Sequence, residues 1–115
     1  MKLLMAILFA LALPLCAADL TGTWDVAVDI AGNTGNPVIT LKQDGNSLTG
    51  SYKGLLGEAP LKGKVDGDNV TWEFTAEYGG DKIHVVYTGV VANGAISGKI
   101  DFGGQAEGTF TAKRK

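Results

Sequence analysis

The chain has 115 residues with a formal charge of −2, is 45% apolar and 19% charged, and contains 17 glycines against 3 prolines. This is globular composition, and the absence of a three-residue glycine period excludes collagen and points to a glycine-punctuated β protein. A doubly wound nucleotide-binding fold or a large barrel enzyme does not fit in this length.

The chain opens with Lys2, an apolar run from Leu3 to Leu13, and small residues at Cys16-Ala17-Ala18 ahead of Asp19. That is the pattern of an export signal cleaved after Ala18, so residues 1–18 are expected to be a leader and residues 19–115 a single domain. Lys2 is the one basic residue of the leader; 9 of the 10 basic residues remain against 12 acidic ones, a formal −3. Such a balance offers no electrostatic reason to bind nucleic acid or an anionic membrane. The apolar run is too short to span a bilayer, and nothing downstream approaches the ~18–20 consecutive apolar residues a membrane helix needs. An exported protein, periplasmic or secreted, is expected. Cys16 leaves a second reading as the lipid-bearing first residue of a lipoprotein, against which Leu15 stands where a small residue is usual. With cleavage after Ala18 no cysteine remains, so a disulfide, a thiolate metal site and a cysteine nucleophile are all excluded.

From Thr23 onward apolar and polar residues alternate with period two, which predicts strands with one buried face. Strand one (about 22–31) places Trp24, Val26, Val28 and Ile30 inward, and strand two (about 37–43) Ile39 and Leu41. Strands three (47–53) and four (60–66) turn Leu48, Gly50 and Tyr52, then Leu61, Gly63 and Val65, to the same side. Strand five (69–77) buries Val70, Trp72, Phe74 and Ala76, and strand six (81–91) Ile83, Val85, Tyr87, Gly89 and Val91. Strand seven (95–102) buries Ile96, Gly98 and Ile100, and strand eight (106–113) Ala106, Gly108, Phe110 and Ala112.

Asp44-Gly45-Asn46, Asp66-Gly67-Asp68-Asn69 and Ala92-Asn93-Gly94 are hairpin sequences. The connections 31–36, 54–59, 78–80 and 103–105 look looser and more apolar, and alternation along a meander puts them all at the other end. A repeated hairpin, Gly63-Lys64-Val65 to Val70 and Gly89-Val90-Val91 to Ile96, supports the layout. The predicted class is all-β, an eight-stranded antiparallel up-and-down β-barrel whose closure removes exposed edges, with a two-sheet β-sandwich as the alternative.

Gly50, Gly63, Gly89, Gly98 and Gly108 share the inward parity. They serve either the strong coiling of a small barrel or space for a ligand. His84 is the single histidine and faces outward, no serine sits in an elbow motif, and Asp66, Asp68 and Asn69 lack the rest of a calcium loop. Glu73 and Glu77 are too far apart along a strand to form a close catalytic pair. No constellation argues for an enzyme, a metal or a cofactor.

Gly22-Thr23-Trp24 resembles the opening of a calycin barrel, the group that includes lipocalins and avidins. The resemblance implies that Arg114 covers the face of Trp24 and that the two close the barrel. Leu48-Thr49-Gly50-Ser51-Tyr52 is similar to an avidin segment whose tyrosine contacts biotin; Val26 and Ile30 stand where that family has polar ligands, so biotin binding is not expected. Gly54-Leu55-Leu56-Gly57 and Gly108-Thr109-Phe110-Thr111-Ala112-Lys113 are similar to small glycine-rich β domains of exported bacterial proteins.

The leading expectation is a non-enzymatic exported barrel that binds a small apolar or amphipathic ligand at the looser end, nearest Tyr52, Leu55, Leu56, Trp72, Tyr78 and Tyr87. The rival is a solid barrel whose outer face, with Lys62, Lys64, Glu73, Glu77 and His84, meets an envelope protein or glycan.

Overall fold

The computed structural model describes residues 19–115, Tyr78 by its backbone alone; the expected leader, residues 1–18 with Cys16, lies outside the described residues. The elements are β1 (Gly22–Ile30), β2 (Asn33–Gly35), β3 (Val38–Asp44), β4 (Ser47–Gly54), β5 (Gly57–Asp66), β6 (Asn69–Tyr78), β7 (Asp81–Ala92), β8 (Ala95–Phe102) and β9 (Ala106–Arg114). All pairings are antiparallel, and β1 also pairs with β9 from Trp24↔Arg114 to Ile30↔Gly108, so the sheet closes on itself. This is an eight-stranded up-and-down barrel with one extra short strand, and closure rules out the two-sheet sandwich. β2 pairs with the end of β1 (Val28↔Gly35 to Ile30↔Asn33) and β3 with its beginning (Gly22↔Leu41 to Asp25↔Val38), so together they fill the second position. They separate at Asn36-Pro37, because Pro37 has no N–H for a ladder; its carbonyl still accepts a 2.9 Å hydrogen bond from Val26 N.

Period-two patterning decides what lies inside. Trp24, Ile39, Leu48, Leu61, Trp72, Val85, Ile96 and Phe110 are buried on the eight principal strands in turn, and no charged residue is buried among those described. Each large apolar side chain removed from water contributes about 1.5–3 kcal/mol, which makes this face the main source of stability in a domain without helices.

The inward glycines serve the wall and not a guest. A Cβ added at Gly50 would lie 1.8 Å from the Thr40 carbonyl oxygen, one at Gly63 2.0 Å from that of Thr71, and one at Gly98 2.0 Å from that of Thr88. At Gly108 the obstacle is the Asp29 carbonyl at 2.4 Å, and at Gly89 the Ser97 carbonyl at 2.7 Å with the Phe110 ring at 2.9 Å. The space is filled by neighbouring backbone, so these residues permit tight coiling and the ligand-space reading of them is overturned.

The expected contrast between a tight and a loose end is corrected for three of the four connections, while 103–105, closed by Phe102↔Ala106, is a longer one of three residues. Ile30↔Asn33, Gly54↔Gly57 and Tyr78↔Asp81 close two-residue turns, as tight as Asp44↔Ser47, Asp66↔Asn69 and Ala92↔Ala95 at the other end. Ala31 and Gly32, at φ 53° and 86°, supply the positive-φ pair that a twisted two-residue hairpin requires, which turns the supposed loop at 31–36 into β2. What distinguishes this end, called upper below, is that neighbouring hairpins part there. β5 and β6 pair only from Lys62↔Glu73 to Asp66↔Asn69, leaving Gly57–Leu61 and Phe74–Tyr78 outside their ladder.

Proline explains where that ladder stops. Val65 N donates to Asn46 O on the β4 side at 2.8 Å, and the β4–β5 register runs unbroken from Ser47↔Lys64 to Gly54↔Gly57. Alternation therefore aims the amide nitrogens of residues 64, 62 and 60 at β6, and at position 60 proline has no hydrogen to give.

The lower end is sealed by the chain's own start. Leu20 is 1% exposed, its N–H donates to Gln43 Oε1 at 2.9 Å, and its carbonyl accepts from Trp24 Nε1 at 2.9 Å. Arg114 lies with Cζ 4.6 Å from the Trp24 ring centroid and donates to the carbonyls of Thr21, at 2.8 Å, and Asp19.

Candidate functional site

With the lower end plugged by Leu20 and Trp24, the interior opens only upward. Its middle is filled by a layer of rings. Tyr52 stacks on Phe74 with centroids 4.3 Å apart, Trp72 stacks on Tyr87 at 5.3 Å, and Phe110 meets Tyr87 edge-on at 4.9 Å and Trp72 at 5.4 Å. Above this layer is a cavity of about 480 Å³. Its walls are Val28 and Ile30 of β1, Val85 of β7, Phe102 of β8, and Leu55 and Leu56 of the β4–β5 turn. Asn33, Thr34, Asn36 and Gln105 bring polar groups from β2 and the connections.

Tyr52 and Tyr87 bring phenol groups to this cavity. Tyr52 reaches toward the upper turn: a Cβ on Gly54 would sit 2.6 Å from its hydroxyl oxygen and 2.8 Å from Pro37 Cβ, so the hydroxyl occupies room that only glycine leaves. Burial pushes the Tyr52 phenol above its ordinary ionisation range, opposed in part by a hydrogen bond from the Leu56 backbone. Burial acts more strongly on Tyr87, and the nearby Tyr52 raises it further. Both are therefore neutral hydroxyls at physiological pH. Among the described residues Tyr52 and Tyr87 are the ionisable side chains in the lining.

Of the residues singled out in the sequence, Tyr52, Leu55, Leu56 and Tyr87 come together around this cavity. Trp72 does not line it: its side chain is fully buried beneath, stacked on Tyr87, with an indole N–H that has no hydrogen-bond partner. The Tyr78 side chain lies outside the described residues. Sequence reasoning missed Val28, Ile30 and the β2 segment as lining, because they were assigned to core and loop. Parity marks a residue as inward but says nothing about its height along the barrel axis. The signal for β2 was the Ala31-Gly32 pair between extended segments, a hairpin turn once alanine is allowed a positive φ.

Leu55 and Leu56 divide the work of the upper turn. Leu56 packs against the core, whereas Leu55 is 89% exposed beside the mouth, near Gly35 of β2. The outer wall carries ordinary polar chemistry. His84 Nε2 lies 3.7 Å from Glu73 Oε2 with both side chains exposed, and a groove of about 630 Å³ over Val86, Thr88, Lys99 and Glu107 is formed by outward-facing side chains. No group of three or more His, Cys, Asp or Glu suited to a metal occurs among the described residues, and none of their helices is long and apolar enough to cross a membrane.

No protein-family model matches this chain, and no curated protein matches it either.

Proposed function

We propose that the protein is an exported, non-enzymatic carrier of calycin type that holds one small apolar or amphipathic molecule in the cavity above the ring layer. The observation that carries the reading is the cavity of about 480 Å³, which combines apolar walls with a few convergent polar groups and opens at one end of an otherwise filled and sealed barrel. Export rests on the Lys2–Ala18 pattern, and the calycin likeness on Gly22-Thr23-Trp24 with Arg114 over the indole. The absence of charge from the lining suits capture better than acid–base chemistry, which needs a group that titrates near the working pH.

The test is the native mass of the protein purified from an exporting host, before and after extraction with organic solvent, together with uptake of the neutral fluorophore N-phenyl-1-naphthylamine. A mass excess lost on extraction, or saturable uptake that a Val28→Trp plug abolishes, is the expected result. A bare polypeptide mass with no saturable uptake by the wild-type protein would overturn it.

A further inference from the structure

The distribution of charge and hydrogen-bonding groups around the cavity goes one step further and bears on the class of molecule it holds. This step rests on the carrier reading above. Among the described residues no lysine, arginine, histidine or carboxylate lines the cavity, so an anionic head group would enter without a counter-charge from them, and burying an uncompensated charge is costly. Its lining includes two phenols, Tyr52 and Tyr87, both favoured in the neutral form by burial. A neutral phenol carries one proton to donate and an oxygen that can accept. Hydroxyls of this kind can donate to a neutral oxygen at no charge penalty, whereas two neutral donors, although they bond a carboxylate more strongly, leave its buried charge uncompensated.

Polar groups are spread over the cavity. The Tyr87 phenol belongs to the ring layer at its base, Val28, Ile30, Val85 and Phe102 give apolar walls, and the Tyr52 hydroxyl reaches toward the upper turn, where Asn33 of β2 and Gln105 also contribute. A cavity of about 480 Å³ falls within the usual range for small-molecule sites and suits a single short-chain amphiphile.

We propose that the cavity selects an uncharged amphiphile, a single short apolar body bearing a carbonyl or hydroxyl oxygen that meets the hydroxyls of Tyr52 and Tyr87, and that it discriminates against the carboxylate of the same length.

The experiment compares three probes of matched length, 1-dodecanol, 2-dodecanone and dodecanoate, by competition against N-phenyl-1-naphthylamine at pH 8. The alcohol and the ketone are expected to bind at least about tenfold more tightly than the carboxylate, with the acid recovering affinity as the pH falls and its head group protonates. Tyr87→Phe, checked for folding by near-ultraviolet circular dichroism, is expected to weaken the alcohol and ketone several-fold relative to the fluorophore, whose affinity is measured directly for each variant; Tyr52→Phe provides the same readout should Tyr87→Phe fail to fold. Dodecanoate binding as tightly as dodecanol at pH 8, or phenylalanine variants with unchanged selectivity, would overturn the proposal and leave the carrier reading standing. Failure of the wild-type protein to bind the fluorophore and all three probes would overturn both.

Discussion

Glycine and tyrosine carry the most specific consequences at the scale of single residues. Gly63→Ala places a methyl carbon 2.0 Å from the Thr71 carbonyl, a contact that neither strand can relieve without shifting. A loss of about 3 kcal/mol in urea denaturation is expected, against a change within about 0.5 kcal/mol for Leu55→Ser at the exposed turn. A cost at Gly63 below about 1 kcal/mol would show that the barrel is more compliant than its backbone contacts imply. The buried phenols set an alkaline limit. Tyr52 and Tyr87 ionise at higher pH in the folded state than the ordinary value of 10.0, so their contribution is complete below about pH 10. Above it the unfolded chain loses protons that the folded chain keeps, and stability falls by up to about 1.4 kcal/mol per pH unit for each phenol. Absorbance at 295 nm should then show phenolate from Tyr52 and Tyr87 appearing together with loss of near-ultraviolet dichroism. Ionisation of all three tyrosines near pH 10 without unfolding would contradict their burial.

For the elements, Pro60 determines how far β5 and β6 stay joined. Pro60→Ala supplies an N–H aimed at β6 opposite Thr75, and the ladder is expected to grow from Lys62↔Glu73 through Leu61↔Phe74 to residue 60 opposite Thr75. Hydrogen exchange is the measurement: the Thr75 amide should slow at least several-fold in the variant, and an unchanged rate would mean that the hairpins part for another reason. This element also shows how sequence legibility works. Alternation from Thr23 onward identified the inward residues of the principal strands, because a slip of one residue would turn a whole apolar face to water. β2 escaped that logic, since Asn33-Thr34-Gly35 has no apolar face to alternate and is held by pairing with β1. The parting of β5 from β6 escaped it too, because the direction in which Pro60 lacks a donor depends on a register seen only in the folded sheet.

Stability of the whole molecule depends on closing both the ring of strands and its lower end. Arg114→Ala removes the cation over Trp24 and the donors to the Thr21 and Asp19 carbonyls, and a loss of about 1–2 kcal/mol is expected in chemical denaturation. Removing residues 19–21 exposes the same indole and takes away Leu20, so a comparable or larger loss is expected; no change would mean that the barrel is sealed without this segment. By itself the sequence determined an all-β chain, the inward face of its strands, the tight turns at one end, and a count of eight that invited closure, because period-two burial and turn chemistry are local properties. Only the tertiary structure decided that β9 returns to β1, that the inward glycines make way for backbone, and that four of six suspected residues surround a cavity while Trp72 lies beneath it. Those outcomes depend on height along the barrel axis and on the approach of strands distant in sequence, distances that a linear pattern does not contain.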